Sequence, residues 1–338
     1  MTTTPHGRRG PRALLAVLAA VIALVLIGTA LWAMSNRRWL EDAYTGWNYQ
    51  PSAELAAVRD RIQMSDEGDF LFAASTPSLE DAAQFNESCN REDPTFYILG
   101  CYTGSMIHLY RITDERLAGI VEVTAAHEML HAAWDRMSED EHAELEPLLE
   151  AEYERVADDA FAERMDYYAQ AQPGTRVNEL HSIIGTEVAD LSPELEAHYA
   201  EYFQDRSIVV ALHDGYSSVL ADIQERSESL VAELDALAGT IEAGRTEYEQ
   251  GTSELNADIE VFNARASTPG GFDTDEFERQ RDALYARGDA LDEQRDAVNA
   301  DVTRYEELRA ELESLNAESA ALLQSMDSLQ APEEVPVP

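Results

Sequence analysis

Residues 117–133 read LAGIVEVTAAHEMLHAA, and the stretch holds the motif His127-Glu128-Met129-Leu130-His131. Leu117, Ile120, Val121, Thr124, Met129 and Ala133 recur at helical spacing among small residues, so a buried helix is expected from about 114 to 137. On a helix, positions i and i+4 share a face. Two imidazoles there can bind one metal ion, with Glu128 beside an open coordination position. Eight histidines among 338 residues predict about 0.02 accidental matches to this pattern. A buried pair of His with a Glu and no partner would also be costly.

Outward from this helix, the preceding segment TFYILGCYTGSMIHLYRI is β-branched and aromatic and is broken at Tyr102-Thr103-Gly104-Ser105. It predicts a β-hairpin of about 96–101 and 106–112. An amphipathic stretch falls at residues 53–62, and residues 75–78 (STPS) read as a turn. After the motif helix, an acidic helical region is expected from Ser138 to about Ala171, ended by Pro173-Gly174. A further helix is expected over about 177–190, and Ser192-Pro193-Glu194 is a capped helix start.

The N-terminal part of the chain, residues 13–33, is ALLAVLAAVIALVLIGTALWA, long enough to cross a hydrocarbon core of about 30 Å. A cleaved signal peptide has a shorter apolar run and a small-x-small site, so the reading is an uncleaved signal anchor. Residues 1–12, with Arg8, Arg9 and Arg12, are then cytoplasmic, and everything after Ser35 lies outside. In that oxidising space Cys89 and Cys101 are expected to form a disulfide. Asn86-Glu87-Ser88 matches a glycosylation sequon.

Beyond about Tyr216 the pattern changes to heptads. Leu220, Ile223, Ser227, Leu230, Leu234, Leu237, Ile241, Gly244, Tyr248, Gly251 and Leu255 alternate steps of three and four. A second seam runs through Phe277, Leu284, Leu291, Val298, Val302, Tyr305, Leu312, Leu315, Leu322, Met326 and Leu329. With the breaker STPGG at 267–271 between them, the two predict an antiparallel coiled-coil hairpin over 213–330, its turn near 266–274. Gly244, Gly251 and Gly288 either loosen the seam or allow close approach. The proline-rich tail 331–338 is expected to be disordered.

The chain carries 66 Asp+Glu against 24 basic residues, all Arg, for a formal net charge of -42. Phosphate backbones would be repelled, which excludes a generic nucleic-acid binder. The expected fold class is mainly α with a small β-hairpin or sheet, over about 40–212, followed by the coiled-coil hairpin.

The strand hairpin followed by a His-Glu-x-x-His helix resembles the zincin metallopeptidases. The resemblance covers roughly residues 95–210 and implies one Zn²⁺ bound by His127 and His131, with Glu128 as general base for peptide hydrolysis. It also implies that residues 106–111 form the edge strand lining the substrate cleft. The continuation AAWDRMSED lacks the Gly and third His of the metzincin branch, so a gluzincin-like arrangement is implied. There the third ligand is a Glu on a following helix. Glu179, in Asn178-Glu179-Leu180-His181-Ser182, matches that pattern, although the Asp expected four residues later is Ile183. Glu187 is the alternative, and Glu201 a further one. Tyr167, Tyr168, His181, Tyr199 and Arg206 are candidate donors to a developing oxyanion.

These readings sum to a membrane-anchored zinc metallopeptidase acting on peptides or proteins outside the membrane. The arm would serve for oligomerisation or for a partner. The alternative is a non-enzymatic cell-envelope scaffold with a structural or degenerate metal site.

Overall fold

The computed structural model describes residues 10–89 and 97–329, with side chains from Leu15. The chain divides into two compact units, Met1–Tyr216 together with Ser325–Pro338, and Ser217–Gln324. The cytoplasmic N-terminus expected at 1–12 falls largely outside the described residues, as does the tail 331–338.

The first unit is mainly helical. Helix α1 (Gly10–Ser35) contains one segment, Leu15–Ser35, that is long and apolar enough to cross a membrane, and none of it is buried. After Asn36, α2 (Arg37–Asn48) follows, then α3 (Ala53–Ile62) on the expected amphipathic stretch and α4 (Asp66–Ala74). Ser52 and Ser65 cap α3 and α4 by accepting from Leu55 N–H and Gly68 N–H.

Strand β1 (Ser78–Glu80), α5 (Ala82–Ser88), β2 (Gly100–Tyr102) and β3 (Ile107–Tyr110) follow. The expected hairpin is present but shorter at both strands, and its residue 96 lies outside the described set. The sheet order is β1-β3-β2, with β1 parallel and β2 antiparallel to β3. This corrects the sequence reading: β3, within 106–111, is the central strand and β2 is the edge strand. The turn-like segment at 75–78 leads into a three-residue strand too short to show alternation. It is pinned by Ile107 N–H to Ser75 O and Arg111 N–H to Glu80 O.

A short 3-10 turn at Glu115–Leu117 leads into α6 (Ile120–Trp134), whose N-cap is Gly119 at φ +105°. A side chain there would be strained by that backbone angle and would press on Leu212 O at 3.0 Å. The acidic region 138–171 is two helices, α7 (Glu139–Val156) and α8 (Asp159–Ala171). The break falls where Asp158 turns to cap α8 by accepting from Phe161 N–H. Then come α9 (Arg176–Glu187) and α10 (Pro193–Tyr199), the latter with the expected Ser192 cap. The core of this unit is built on Ile107, Leu109, Met129, Leu130, Leu149, Leu180 and Ile184. Cys89 and Cys101 are joined by a disulfide, with Cα atoms 5.9 Å apart.

The second unit lies on α11 (Ser207–Ala266) and α12 (Thr274–Met326). Arg304 pairs with Glu233, Gln294 with Glu247, and Arg287 with Asp258, so the two helices run antiparallel. Leu230, Leu234, Leu255, Leu308, Leu315 and Leu322 are buried in the seam. Cβ atoms on Gly244 and Gly251 would lie 2.7 Å from Val298 and Leu291, so these glycines permit close approach. At the turn, Phe262, Phe272 and Phe277 cluster, and Arg265 stacks 4.0 Å over Phe272 while pairing with Glu276.

Three details of the seam reading change. The step after Val298 falls on Asp301, half-buried, and not on the exposed Val302, and buried Leu308 fills the step between Tyr305 and Leu312, because the three-four alternation runs 298, 301, 305, 308, 312. Leu329 lies beyond α12 and is 56% exposed. The helix that enters the arm starts at Ser207, before the expected 213, because Asp205 accepts from Ser207 N–H at 3.1 Å and caps it. At the other end, residues from Ser325 onward rejoin the first unit. There Asn86 Nδ2 donates to Ser328 O (2.9 Å) and Ser328 Oγ to Asn86 Oδ1 (2.8 Å). The sequon asparagine is thus engaged on both amide atoms.

Candidate metal centre and cleft

Helix α6 is the floor of the site, and α9 packs directly on it. Close packing is possible because Gly185 has no side chain: a Cβ there would lie 2.6 Å from both Leu130 Cδ1 and Tyr199 Cε1. The two helices bring His127, His131, Glu128 and Glu179 together. The imidazoles of His127 and His131 sit edge to face, centroids 4.7 Å apart. Glu179 Oε2 lies 3.7 Å from the Nε2 of each. Donor atoms around a tetrahedral ion, with bonds of roughly 2.0–2.2 Å, stand about 3.4 Å apart. The observed spacing needs only a few tenths of an ångström of contraction.

Glu128 also has a carboxylate oxygen in a group with both histidines, all three donor atoms within 4.8 Å of one another. Two carboxylates therefore compete for the third ligand position. Glu179 Oε2 is the one that stands equidistant from both imidazoles.

Among the described residues of this unit four glutamates are buried: Glu122, Glu128, Glu152 and Glu179. Glu122 is paired with Arg61 and Glu152 with Arg155. Among the described residues neither Glu128 nor Glu179 forms an ion pair with an arginine, and the Oε2 atom of each is buried with no hydrogen-bond partner. Buried charge without a partner is expensive, and such a pair of orphaned oxygens fits a cation between them and the imidazoles.

The two carboxyls are pushed apart electrostatically. Burial raises Glu128 to about 7, helped by the charge of Glu179, while the His131 charge and the Tyr102 backbone N–H oppose it. Burial acts on Glu179 in the same direction. The nearby His127 imidazole and the charges of His131 and Arg164 nevertheless hold it below the ordinary carboxylate value. One group suited to carry a proton stands beside one suited to stay charged.

The neighbours of these side chains fix their orientation. His131 Nδ1 donates to Asn178 Oδ1 at 2.9 Å, with Ser182 Oγ at 3.1 Å, which leaves the Nε2 lone pair facing Glu179. Thr103 N–H bonds Met106 O and Tyr110 N–H bonds Leu99 O, so Gly100 and Tyr102 point their backbone groups away from β3. On that edge the Tyr102 N–H faces the Glu128 carboxylate and favours its charged form. Gly100 makes this approach possible: a Cβ would lie 2.6 Å from Thr124 Cγ2 and 2.9 Å from Glu128.

Above the four side chains opens a cleft of about 470 Å³, walled on one side by residues 97–103 and on the other by α8, with Tyr167 and Tyr168. Of the proposed oxyanion donors, these two tyrosines line the cleft. Burial and the Glu179 charge raise the Tyr168 hydroxyl, which keeps it a neutral donor. The other three lie elsewhere. His181 is buried and bonds His198 (2.9 Å), while Tyr199 donates to His181 O. Arg206 pairs with Glu196 and caps α9 through the Val188 carbonyl. Glu187 is held by both guanidinium nitrogens of Arg164 (3.1 and 2.7 Å) and faces His213 at 3.5 Å. Eight residues on a helix amount to a turn of about 80° away from Glu179, which carries Glu187 off the histidines. Glu201 is exposed.

The sequence reading quoted Asn178 and Ser182 only as flanks of Glu179, with no role, and missed Gly100 and the Tyr102 N–H. Asn178 and Ser182 carried a signal, since their i, i+4 spacing puts both on one helical face beside Glu179. Gly100 and Tyr102 carried none, because their role depends on which strand forms the sheet edge. No protein-family model matches the chain, and no curated protein and no solved structure is significantly similar to it.

Proposed function

We propose that the chain is a membrane-anchored zinc-dependent peptidase, with a zincin-like site formed by α6 and α9. The observation that carries this reading is the position of Glu179 Oε2, buried, without another partner, and 3.7 Å from the Nε2 of both His127 and His131. His127, His131 and Glu179 would hold the ion. When bound, zinc supplies a Lewis acid and a water of lowered pKa.

The protein's own residues supply the rest. Glu128, poised near neutrality, takes a proton from the attacking water and returns it to the leaving amine. Tyr168 or Tyr167 donates to the oxyanion that develops on the scissile carbonyl. Asn178 keeps the His131 proton on Nδ1. The open edge of β2 offers backbone groups of Gly100 to an extended peptide in the cleft.

The apolar segment Leu15–Ser35 supports anchoring, and the Cys89–Cys101 disulfide supports an oxidising, extracellular location for the first unit. In that topology the N-terminus is cytoplasmic.

The test uses the full chain in detergent micelles, with metal content measured by elemental analysis and hydrolysis followed on quenched fluorescent peptides. The wild type is expected to hold one zinc per chain and to cleave. Glu128→Gln should keep the zinc and lose roughly 10²–10⁴-fold in rate. A chain that stays metal-free after zinc supplementation overturns the reading and leaves the non-enzymatic scaffold.

A further inference from the structure

Helix α2 directly follows the apolar segment, and one of its faces is docked on the first unit. Asp42 receives both Nε and Nη2 of Arg136 (2.9 and 3.0 Å), and the two side chains are only 15% and 12% exposed. Arg38 donates to the Asp135 carbonyl and carboxylate. Beyond α2, Tyr49 hydroxyl donates to Pro77 O at 2.6 Å. Gly46 lies close to Ala73 and Ala74. Asp135 and Arg136 directly follow α6, the helix of the histidines and Glu128, and Arg136 Nη1 also caps its last turn through Ala132 O (2.8 Å).

The same two residues grip Tyr102. Its hydroxyl accepts from Arg136 Nη1 at 3.1 Å and donates to Gly104 O at 2.7 Å, with Asp135 Oδ2 at 3.2 Å. Tyr102 is the last residue of β2, the strand that lies against Glu128: a Cβ on Gly100 would sit 2.9 Å from Glu128 Cγ and Oε1, and the Tyr102 N–H faces the same carboxylate. A chain of polar contacts thus runs from α2 to the end of β2, through Asp42, Arg136 and the Tyr102 hydroxyl, and the backbone of β2 lies directly against Glu128.

We propose that Asp42, Arg136 and the Tyr102 hydroxyl are positioning residues. The docked membrane-proximal helix holds β2 in place against the Glu128 carboxylate. This rests on the reading of Glu128 as the general base. The links are unequal. The Asp42–Arg136 pair is bidentate and mostly shielded, so removing one partner strands the other. The Arg38–Asp135 pair is half exposed on both sides and contributes little.

The test uses the full chain in detergent with Asp42→Asn, Tyr102→Phe, Arg38→Ala and the conservative Asp42→Glu. Hydrogen exchange at the β2 amides, read with no substrate, should quicken in Asp42→Asn and Tyr102→Phe and stay unchanged at α6. In hydrolysis the same two variants should lose about tenfold in kcat with KM and zinc content unchanged, because a small misplacement of a catalytic group is costly. Asp42→Glu should recover most of the loss, and Arg38→Ala should fall within twofold of wild type. The proposal is overturned if β2 exchange and kcat stay at wild-type values in Asp42→Asn and Tyr102→Phe. It is equally overturned if their losses come with lost zinc or general unfolding. Should the wild type and Glu128→Gln be equally inactive, the peptidase reading fails, while the exchange data still decide whether α2 controls β2.

Discussion

Two pairs of packed helices, α6 with α9 and α11 with α12, solve opposite problems with the same acidic chain. In the arm the seam is apolar, and the charged partners Arg304, Glu233, Arg287 and Asp258 stay on exposed faces. Between α6 and α9, Glu128, Glu179 and His181 are inside, 5%, 4% and 0% exposed. Both interfaces use glycine to bring helices close: Gly244 and Gly251 in the arm, Gly185 at the site. Among the described residues the arm leaves one buried polar atom without a partner, the Thr252 hydroxyl, so its sequence needs little beyond periodicity. The site buries groups that resist burial, and so requires particular partners at particular atoms.

Removing one of those partners should have the largest effect. Glu179→Ala is expected to lower zinc affinity by at least about 100-fold, measured by competition with a chromophoric chelator, whereas Asn178→Ala should lower it by roughly 10–100-fold. Glu187→Ala, on the same helix, should leave affinity within a few-fold of wild type. Equal losses in the Glu179 and Glu187 variants would erase the distinction between a metal partner and an arginine partner.

Next in size come the glycines. Gly185→Ala puts a methyl against a buried ring and a buried leucine, and should cost about 1–3 kcal/mol in denaturant unfolding. Gly251→Ala meets only the end of Leu291, and alanine's helix preference of about 1 kcal/mol offsets the crowding. It should therefore be near neutral.

A smaller effect concerns acid stability. Burial holds His198 down to about 4 from 6.5, against the opposing charge of Glu141. A histidine whose folded value is depressed contributes stability that is complete above the unfolded value and is lost as pH falls towards the folded one. Between pH 6.5 and 4, wild type should lose on the order of 1–2 kcal/mol more than His198→Asn, read from urea midpoints. An identical pH slope in the two would show that the histidine is not held neutral.

The sequence disclosed these two regions unequally, for physical reasons. Helical periodicity is local, so the arm and the His127–His131 face could be read directly, and the Cys89–Cys101 bridge followed from the expected compartment. Val302 was read in place of Asp301 because apolarity alone favours the valine, although the seam itself steps through the half-buried aspartate. Glu179 was singled out through a family resemblance among many acidic side chains. The orphaned Oε2 atom that marks it exists only once α9 lies on α6. The edge strand was misplaced because strand order is a long-range property: β1, three residues long, takes the side of β3 that would otherwise be free. Tyr102 looked like a turn residue for the same reason.

The chain leaves the first unit at Tyr216 and returns to it at Ser325. Topologically, the arm is an insertion rather than an appendage, its end moored by Asn86 and Ser328. Its length is accordingly a free parameter. Whole seven-residue repeats can be added to or removed from both helices without disturbing the seam or the residues at either junction. The length of the arm can thus be altered independently of the first unit's own core.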